Sequence, residues 1–229
     1  MMPTSTGKSG STYFNRHKTS IIVPCAGFGT RVGSPPAKEL LLHPETQRPL
    51  IETCIDVAEF YGWNLVFITR PEKKILMDYV LARLKESPVH CQWVLVNKTE
   101  EWPDSILKSS DQWSEKNILI LPDTDWAPQG IESSLVEHLD IFDVSYGLFN
   151  PSSTRTWGTV AISENRLRLC EKPQQDDPEF AAWGLIAFKK PFGKPLFSAI
   201  LQSTMDHRVK ELPLKANSIN LDSFRDLTR

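Results

Sequence analysis

Thr19-Ser20-Ile21-Ile22-Val23-Pro24-Cys25, running into Ala26-Gly27-Phe28-Gly29-Thr30-Arg31, is the stretch on which the fold turns. Its first seven residues form a short apolar run with β-branched side chains, the pattern of a buried strand. Two glycines separated by one residue then permit backbone angles that other residues avoid. Ser34-Pro35-Pro36 keeps the following segment out of regular helix. A glycine turn after a first strand can point several backbone N–H groups at one anion. Arg31 can fork onto two phosphate oxygens, and Lys38 adds a point charge.

Downstream of Pro49, apolar residues at 51, 54, 55, 58 and 61 line one helical face, and Gly62 is placed to end that helix. Residues 64–69 read as a second strand. Pro71 opens another helix with a charged outer face, and residues 91–96 form a third strand. A short helix carries Asp104 near its start and Pro103 in its first turn. Residues 117–123, NILILPD, are nearly all apolar, as expected at the centre of a parallel sheet covered on both faces. Strands alternating with helices through residue 140 imply right-handed crossovers. The second half has four strand patterns (143–149, 157–163, 166–172, 181–189) with fewer helices between them, and a helix returns at 195–205. The expectation is an α/β, Rossmann-like three-layer sandwich with a mixed, mostly parallel central sheet that has an antiparallel portion. Ligands bind such sheets at the carboxyl ends of the parallel strands, here just after residues 25, 69, 96 and 122.

The 229 residues, 40% hydrophobic and 24% charged, suit one domain over 19–229 behind a polar, flexible tail of 1–18. That tail lacks the apolar core of a signal peptide. No run approaches the ~20 apolar residues that span a bilayer. A net charge of −2 provides no global field for nucleic acid or anionic membrane, so neither is an expected partner. Cys25, Cys54, Cys91 and Cys170 lie far apart without a C-x-x-C pair, which reads as reduced thiols in a cytoplasmic protein. G-x-x-x-x-G-K-[ST] is absent, and Val32 stands where G-x-G-x-x-G needs its third glycine.

The block PCAGFGTR, followed by KELLL at 38–42, resembles the A-A-G-x-G-T-R…K-x-x-L signature of sugar nucleotidyltransferases, such as glucose-1-phosphate thymidylyltransferases and UTP–glucose-1-phosphate uridylyltransferases. Cys25 replaces an alanine. The resemblance implies a nucleotidyltransferase core of the kind shared with GT-A glycosyltransferases. It implies that Ala26, Gly27, Phe28, Gly29 and Thr30 carry the nucleotide while Arg31 and Lys38 grip its triphosphate.

Asp123 matches the aspartate of the family's G-D-x segment, with Pro122 in place of glycine, which makes it the expected Mg²⁺ ligand. Asn220-Leu221-Asp222-Ser223-Phe224 is similar to W-L-D-T-G, which makes Asp222 the second ligand, although Phe224 replaces glycine; the alternative is that Asp222 caps a last turn, Ser223-Phe224-Arg225-Asp226-Leu227. Asp125 is either a further ligand or a cap on the next turn.

Residues 157–188 resemble the Y-G-V-V…E-K-P…G-x-Y-x-F block in order and spacing. By that resemblance Gly158 lets a sugar approach the backbone, Glu171 accepts from its hydroxyls, Lys172 binds its phosphate and Gly184 flanks the site. Glu171 and Lys172 can serve one pocket only if the strand end is irregular, and Pro173 supplies that irregularity. Trp157 and Trp183 each adjoin a site glycine.

The implied reaction joins a sugar 1-phosphate to a nucleoside triphosphate with release of pyrophosphate, dependent on Mg²⁺. Homo-oligomerisation stays open. Residues 97–107, NKTEEWPDSIL, lack the glycine of the family's base-reading segment, so base and sugar are undetermined. That departure leaves room for a catalytically silent relative acting as a regulatory or assembly subunit. The same residues also admit a phosphocholine cytidylyltransferase-like enzyme, or a nucleotide-sugar-dependent glycosyltransferase with D-T-D as its metal site.

Overall fold

The computed structural model describes residues 18–27, 37–97, 99, 101–163 and 166–228. Strand β1 (Thr19–Pro24) lies centrally, parallel to both β2 (Asn64–Thr69) and β4 (Lys116–Leu119), with Ile22 beside Val66 and Leu119. Strand β3 (Cys91–Leu95) extends this parallel half on the far side of β2. The crossovers carry α1 (Glu52–Tyr61), α2 (Lys74–Arg83) and α3 (Trp102–Lys108). Gly62 ends α1 in the left-handed conformation at φ 67°, and the N–H groups of Gly62 and Trp63 both return to the Ala58 carbonyl. A β-carbon would be strained there, so the sequence signal and the cap are the same fact.

After α4 (Ile131–His138) the pairing turns largely antiparallel. Strand β9 (Ala181–Lys189) runs against β4, β6 (Val144–Phe149) and β7 (Gly158–Ser163). The sheet continues through β8 (Arg166–Glu171) to β10 (Lys210–Leu212), while β11 (Ala216–Asn220) joins β6 in parallel. Among the described residues this makes one mixed sheet of ten strands.

Neighbouring residues along the central strands feed opposite cores. Ile21, Val23, Leu65, Phe67, Ile118 and Ile120 belong to one apolar cluster; Ile22, Val66, Ile68 and Leu119 belong to the other. All are 0–1% exposed, which explains why these strands read as continuous apolar runs without alternation. Helices cover both faces, giving the three-layer sandwich of the Rossmann-like class.

Three local expectations change. Helix α5 (Lys190–Asp206) starts earlier than 195: Pro191 sits in the first turn, where no N–H is needed, and Pro195 lies inside the helix. Strand β4 stops at Leu119, and Pro122-Asp123 form a turn before β5 (Thr124–Ala127). Residues 223–226, expected as a last turn, instead form β12 (Ser223–Asp226), which pairs antiparallel with β5 in a separate two-stranded sheet.

Candidate active site

Three parallel strands end together at the expected edge. The β1–β2 ladder is extended by Cys25 N–H donating to Ile68 C=O at 2.7 Å, and the β2–β3 ladder by Val96 N–H donating to Thr69 C=O at 2.9 Å. Just beyond, Arg70 Nε donates to the Ala26 carbonyl and its Nη1 to the Asn97 carbonyl, each at 2.6 Å. Arg70 is 9% exposed. Sequence reasoning missed it, although it occupies the position directly after residue 69 that the topology marks for chemistry. Phe28, Gly29, Thr30 and Arg31 lie outside the described residues.

Lys38-Glu39-Leu40 form a single 3₁₀ turn, which sends consecutive side chains in different directions. Lys38 Nζ contacts Asp123 Oδ2, joining two predicted site residues from distant segments. Glu39, fully buried, accepts from Lys73 Nζ through both carboxylate oxygens at 2.7 and 2.9 Å. Lys73 is itself buried, and no sequence motif marks it. Cys25 lies close by; burial, and then the Glu39 charge, push its thiol well above the ordinary range. It is an inert core residue.

Asp123 is 7% exposed in its turn. Thr228 Oγ1 lies 3.2 Å from Asp123 Oδ2 and 2.8 Å from Asp226 Oδ1, and Leu227 N–H donates to the Asp123 carbonyl at 2.8 Å. The β5–β12 register therefore brings Asp226, opposite Thr124, beside Asp123. Asp222 sits at the other end of that ladder, exposed, with its N–H on the Ala127 carbonyl. The spacing along β5 separates it from Asp123 by roughly 13 Å of strand. Asp125 is engaged by Arg225 at 2.6 Å, and Arg225 also reaches Glu45 at 3.0 Å. Among the described residues no three His, Cys, Asp or Glu side chains converge as a metal cluster.

A second cluster forms around Gly158, which pairs with Glu171 across β7 and β8. Glu171 is buried; Trp102 Nε1 from α3 donates to its Oε1 at 3.3 Å, while its Oε2 lacks a hydrogen-bond partner among the described residues. Burial pushes its carboxyl up to about 7, against a smaller lowering by the Trp102 bond and the Lys172 charge. A β-carbon on Gly158 would overlap Trp183 Nε1 and Glu171 Oε2, so protein packing alone already requires a glycine here. At Gly184 the Phe224 ring fills the corresponding space. Lys172 follows β8 with φ 48°, its N–H on the Trp157 carbonyl at 2.9 Å and its side chain exposed. The backbone departs from regular strand at Lys172, but Glu171 is buried and Lys172 exposed, so this irregularity does not by itself bring the two side chains into one pocket. The Trp157 ring lies 5.8 Å from that of Phe224 on β12, which connects this cluster to the β5–β12 sheet following Asp123.

No family model and no curated protein matches the sequence. Solved structures do. A protein described as a glucose-1-phosphate thymidylyltransferase from Bacillus anthracis superposes with a TM-score of 0.68 at 16% identity, over 92% of this chain and 90% of that one. A UDP-glucose pyrophosphorylase complexed with UDP-glucose gives 0.67 at 17%, over 92% and 94%. The inositol-1-phosphate CTP transferase of T. maritima gives 0.65 at 18%, over 92% and 89%. The chain shares the fold of these three proteins. At such identities the likeness establishes the architecture and leaves the side-chain chemistry to the site itself. No described helix is long and apolar enough to cross a membrane.

Proposed function

We propose that the chain is a nucleotidyltransferase that condenses a sugar 1-phosphate with a nucleoside triphosphate and releases pyrophosphate. The observation that carries this reading is the meeting of Lys38 with Asp123 at the edge where Ala26 and Gly27 leave β1. A cation and a carboxylate from segments 85 residues apart converge there, in a fold shared over 92% of the chain with proteins named for this reaction.

The phosphate oxygen of the second substrate attacks the α-phosphorus in line; one P–O bond forms as the α–β bridge breaks and pyrophosphate leaves. The nucleophile is already ionised near neutral pH, so no general base is needed. Catalysis is then positioning and charge neutralisation. Lys38 and Arg31 serve the leaving pyrophosphate, the backbone at Ala26–Gly27 holds the nucleotide, and Lys172 places the attacking phosphate. Mg²⁺ fits the donor chemistry, because this ion needs only one or two carboxylates when phosphates complete its shell. Asp123 would hold it, with Asp226 better situated than Asp222 or Asp125 as the second oxygen donor. When bound, the ion supplies charge neutralisation between the two phosphate groups.

Phosphocholine is a second candidate acceptor, because neither the Lys38–Asp123 pair nor the exposed Lys172 selects a sugar over another phosphate-bearing group. The test is a screen of nucleoside triphosphates against sugar 1-phosphates and phosphocholine, read by pyrophosphate release. Release with a sugar 1-phosphate and a loss on the order of 10²–10³ in rate for Lys172→Ala support the reading. Folded protein that neither releases pyrophosphate with any pair nor binds a nucleoside triphosphate in calorimetry would instead be a silent relative.

A further inference from the structure

Arg70 performs no chemistry in the mechanism above, yet its guanidinium is buried where three strands end. Beyond Cys25 and Val96 the strands part, and the carbonyls of Ala26 and Asn97 take their donors from Arg70. A planar guanidinium presents its N–H groups as a rigid fork, so one side chain holds both carbonyls in a fixed relation; a lysine ammonium has no such fork.

The consequence lies in the next peptide group. A trans peptide is planar, with its N–H pointing opposite to its C=O. With the Ala26 carbonyl turned inward onto Arg70, the Gly27 N–H faces away from it. Gly27 is exposed, and a β-carbon built there would meet no atom of the described residues within 4 Å. An exposed amide with a fixed direction is what an anion site requires.

We propose that Arg70 is a positioning residue of the phosphate site: it fixes the Ala26–Gly27 peptide so that the Gly27 N–H donates to a phosphate of the nucleoside triphosphate, a role that rests on the reading above. The side chain itself touches no substrate. Its replacement loosens binding of the triphosphate and leaves the acceptor site around Lys172 untouched.

The test uses the full chain and a base-free probe, Mg²⁺ with inorganic tripolyphosphate, titrated calorimetrically into wild type, Arg70→Lys and Gly27→Pro. Protein labelled with ¹⁵N-glycine reports on the Gly27 amide. Wild type binds the probe and its Gly27 resonance moves. Arg70→Lys melts near the wild-type temperature, has a displaced Gly27 resonance before any probe is added, and binds about tenfold or more weakly, as loss of one hydrogen bond to a charged group implies. Gly27→Pro, which lacks the amide proton, shows a comparable loss. Wild-type affinity in Arg70→Lys, or an unmoved Gly27 resonance, overturns the role. If Arg70→Lys fails to fold, wild-type affinity in folded Gly27→Pro overturns it equally.

Absence of probe binding by wild type also overturns the role, even where pyrophosphate release in the substrate screen upholds the enzyme. Conversely, protein that binds the probe through Gly27 but releases no pyrophosphate with any pair loses the enzymatic reading and keeps this one.

Discussion

Lys73→Met tests the charge pair beneath the site. In wild type, Lys73 donates twice to Glu39, at 2.7 and 2.9 Å, with the two side chains 6% and 0% exposed. Removing the ammonium leaves a carboxylate with no water to solvate it, and breaking one side of a buried pair costs about 3–5 kcal/mol. For a domain of this size each kcal/mol lowers the melting temperature by about 2–4 °C, so the expected fall is roughly 6–20 °C. The double variant Glu39→Leu/Lys73→Met removes the desolvated charge as well as its partner, and recovers most of the loss. Urea unfolding followed by tryptophan fluorescence measures both, with an unchanged m-value certifying that stability alone has moved. A loss below about 1 kcal/mol for Lys73→Met, or a double variant as unstable as the single, would refute the claim that burial makes this pair interdependent.

The Glu171 carboxyl is raised from 4.5 to about 7 chiefly by burial, so its protonated form favours the fold: that contribution is complete below about pH 4.5 and is lost as pH rises through 7. Glu171→Gln, compared with wild type by thermal melts across pH, therefore gains stability towards pH 8, by about 3 kcal/mol at most, and gains none at pH 4.5. Gly158→Ala forces a methyl against Trp183 and Glu171 and loses about 1–3 kcal/mol in chemical denaturation; wild-type stability would show that the ring and carboxyl can retreat. Asp123→Asn and Asp226→Asn both raise the Mg²⁺ concentration needed for half-maximal pyrophosphate release, whereas Asp222→Asn does not; an effect confined to Asp222 would contradict the β5–β12 register as the source of the second ligand. All four thiols resist alkylation at pH 8 in folded protein, since burial pushes even the partly exposed Cys91 up to about 12; rapid modification of Cys91 would contradict this.

Much of the architecture was legible because it follows local rules. The run at 19–25 reads as a buried strand because each residue faces one of two cores, and α1 ends at Gly62 because the left-handed cap favours a residue without a side chain. The change from parallel to largely antiparallel pairing near residue 140 follows from the loss of helices between strands. The strand ends at 25, 69 and 96 marked the edge where Lys38 meets Asp123. The role of Arg70 was hidden, because an arginine before Pro71 looks like an ordinary surface residue until its carbonyl partners, 44 and 27 positions away, are known.

By itself the sequence determined the alternating strand–helix order and the inventory of charged groups able to meet phosphate, since each depends on residue types and periodicity over a few residues. Tertiary structure decided which of those groups face one another. It paired Lys38 with Asp123 and Lys73 with Glu39, put Asp226 rather than Asp222 beside Asp123, and filled the spaces at Gly158 and Gly184 with Trp183 and Phe224. These outcomes depend on the register and close packing of strands far apart in the chain, and a one-residue slip in register would send a side chain to the opposite face.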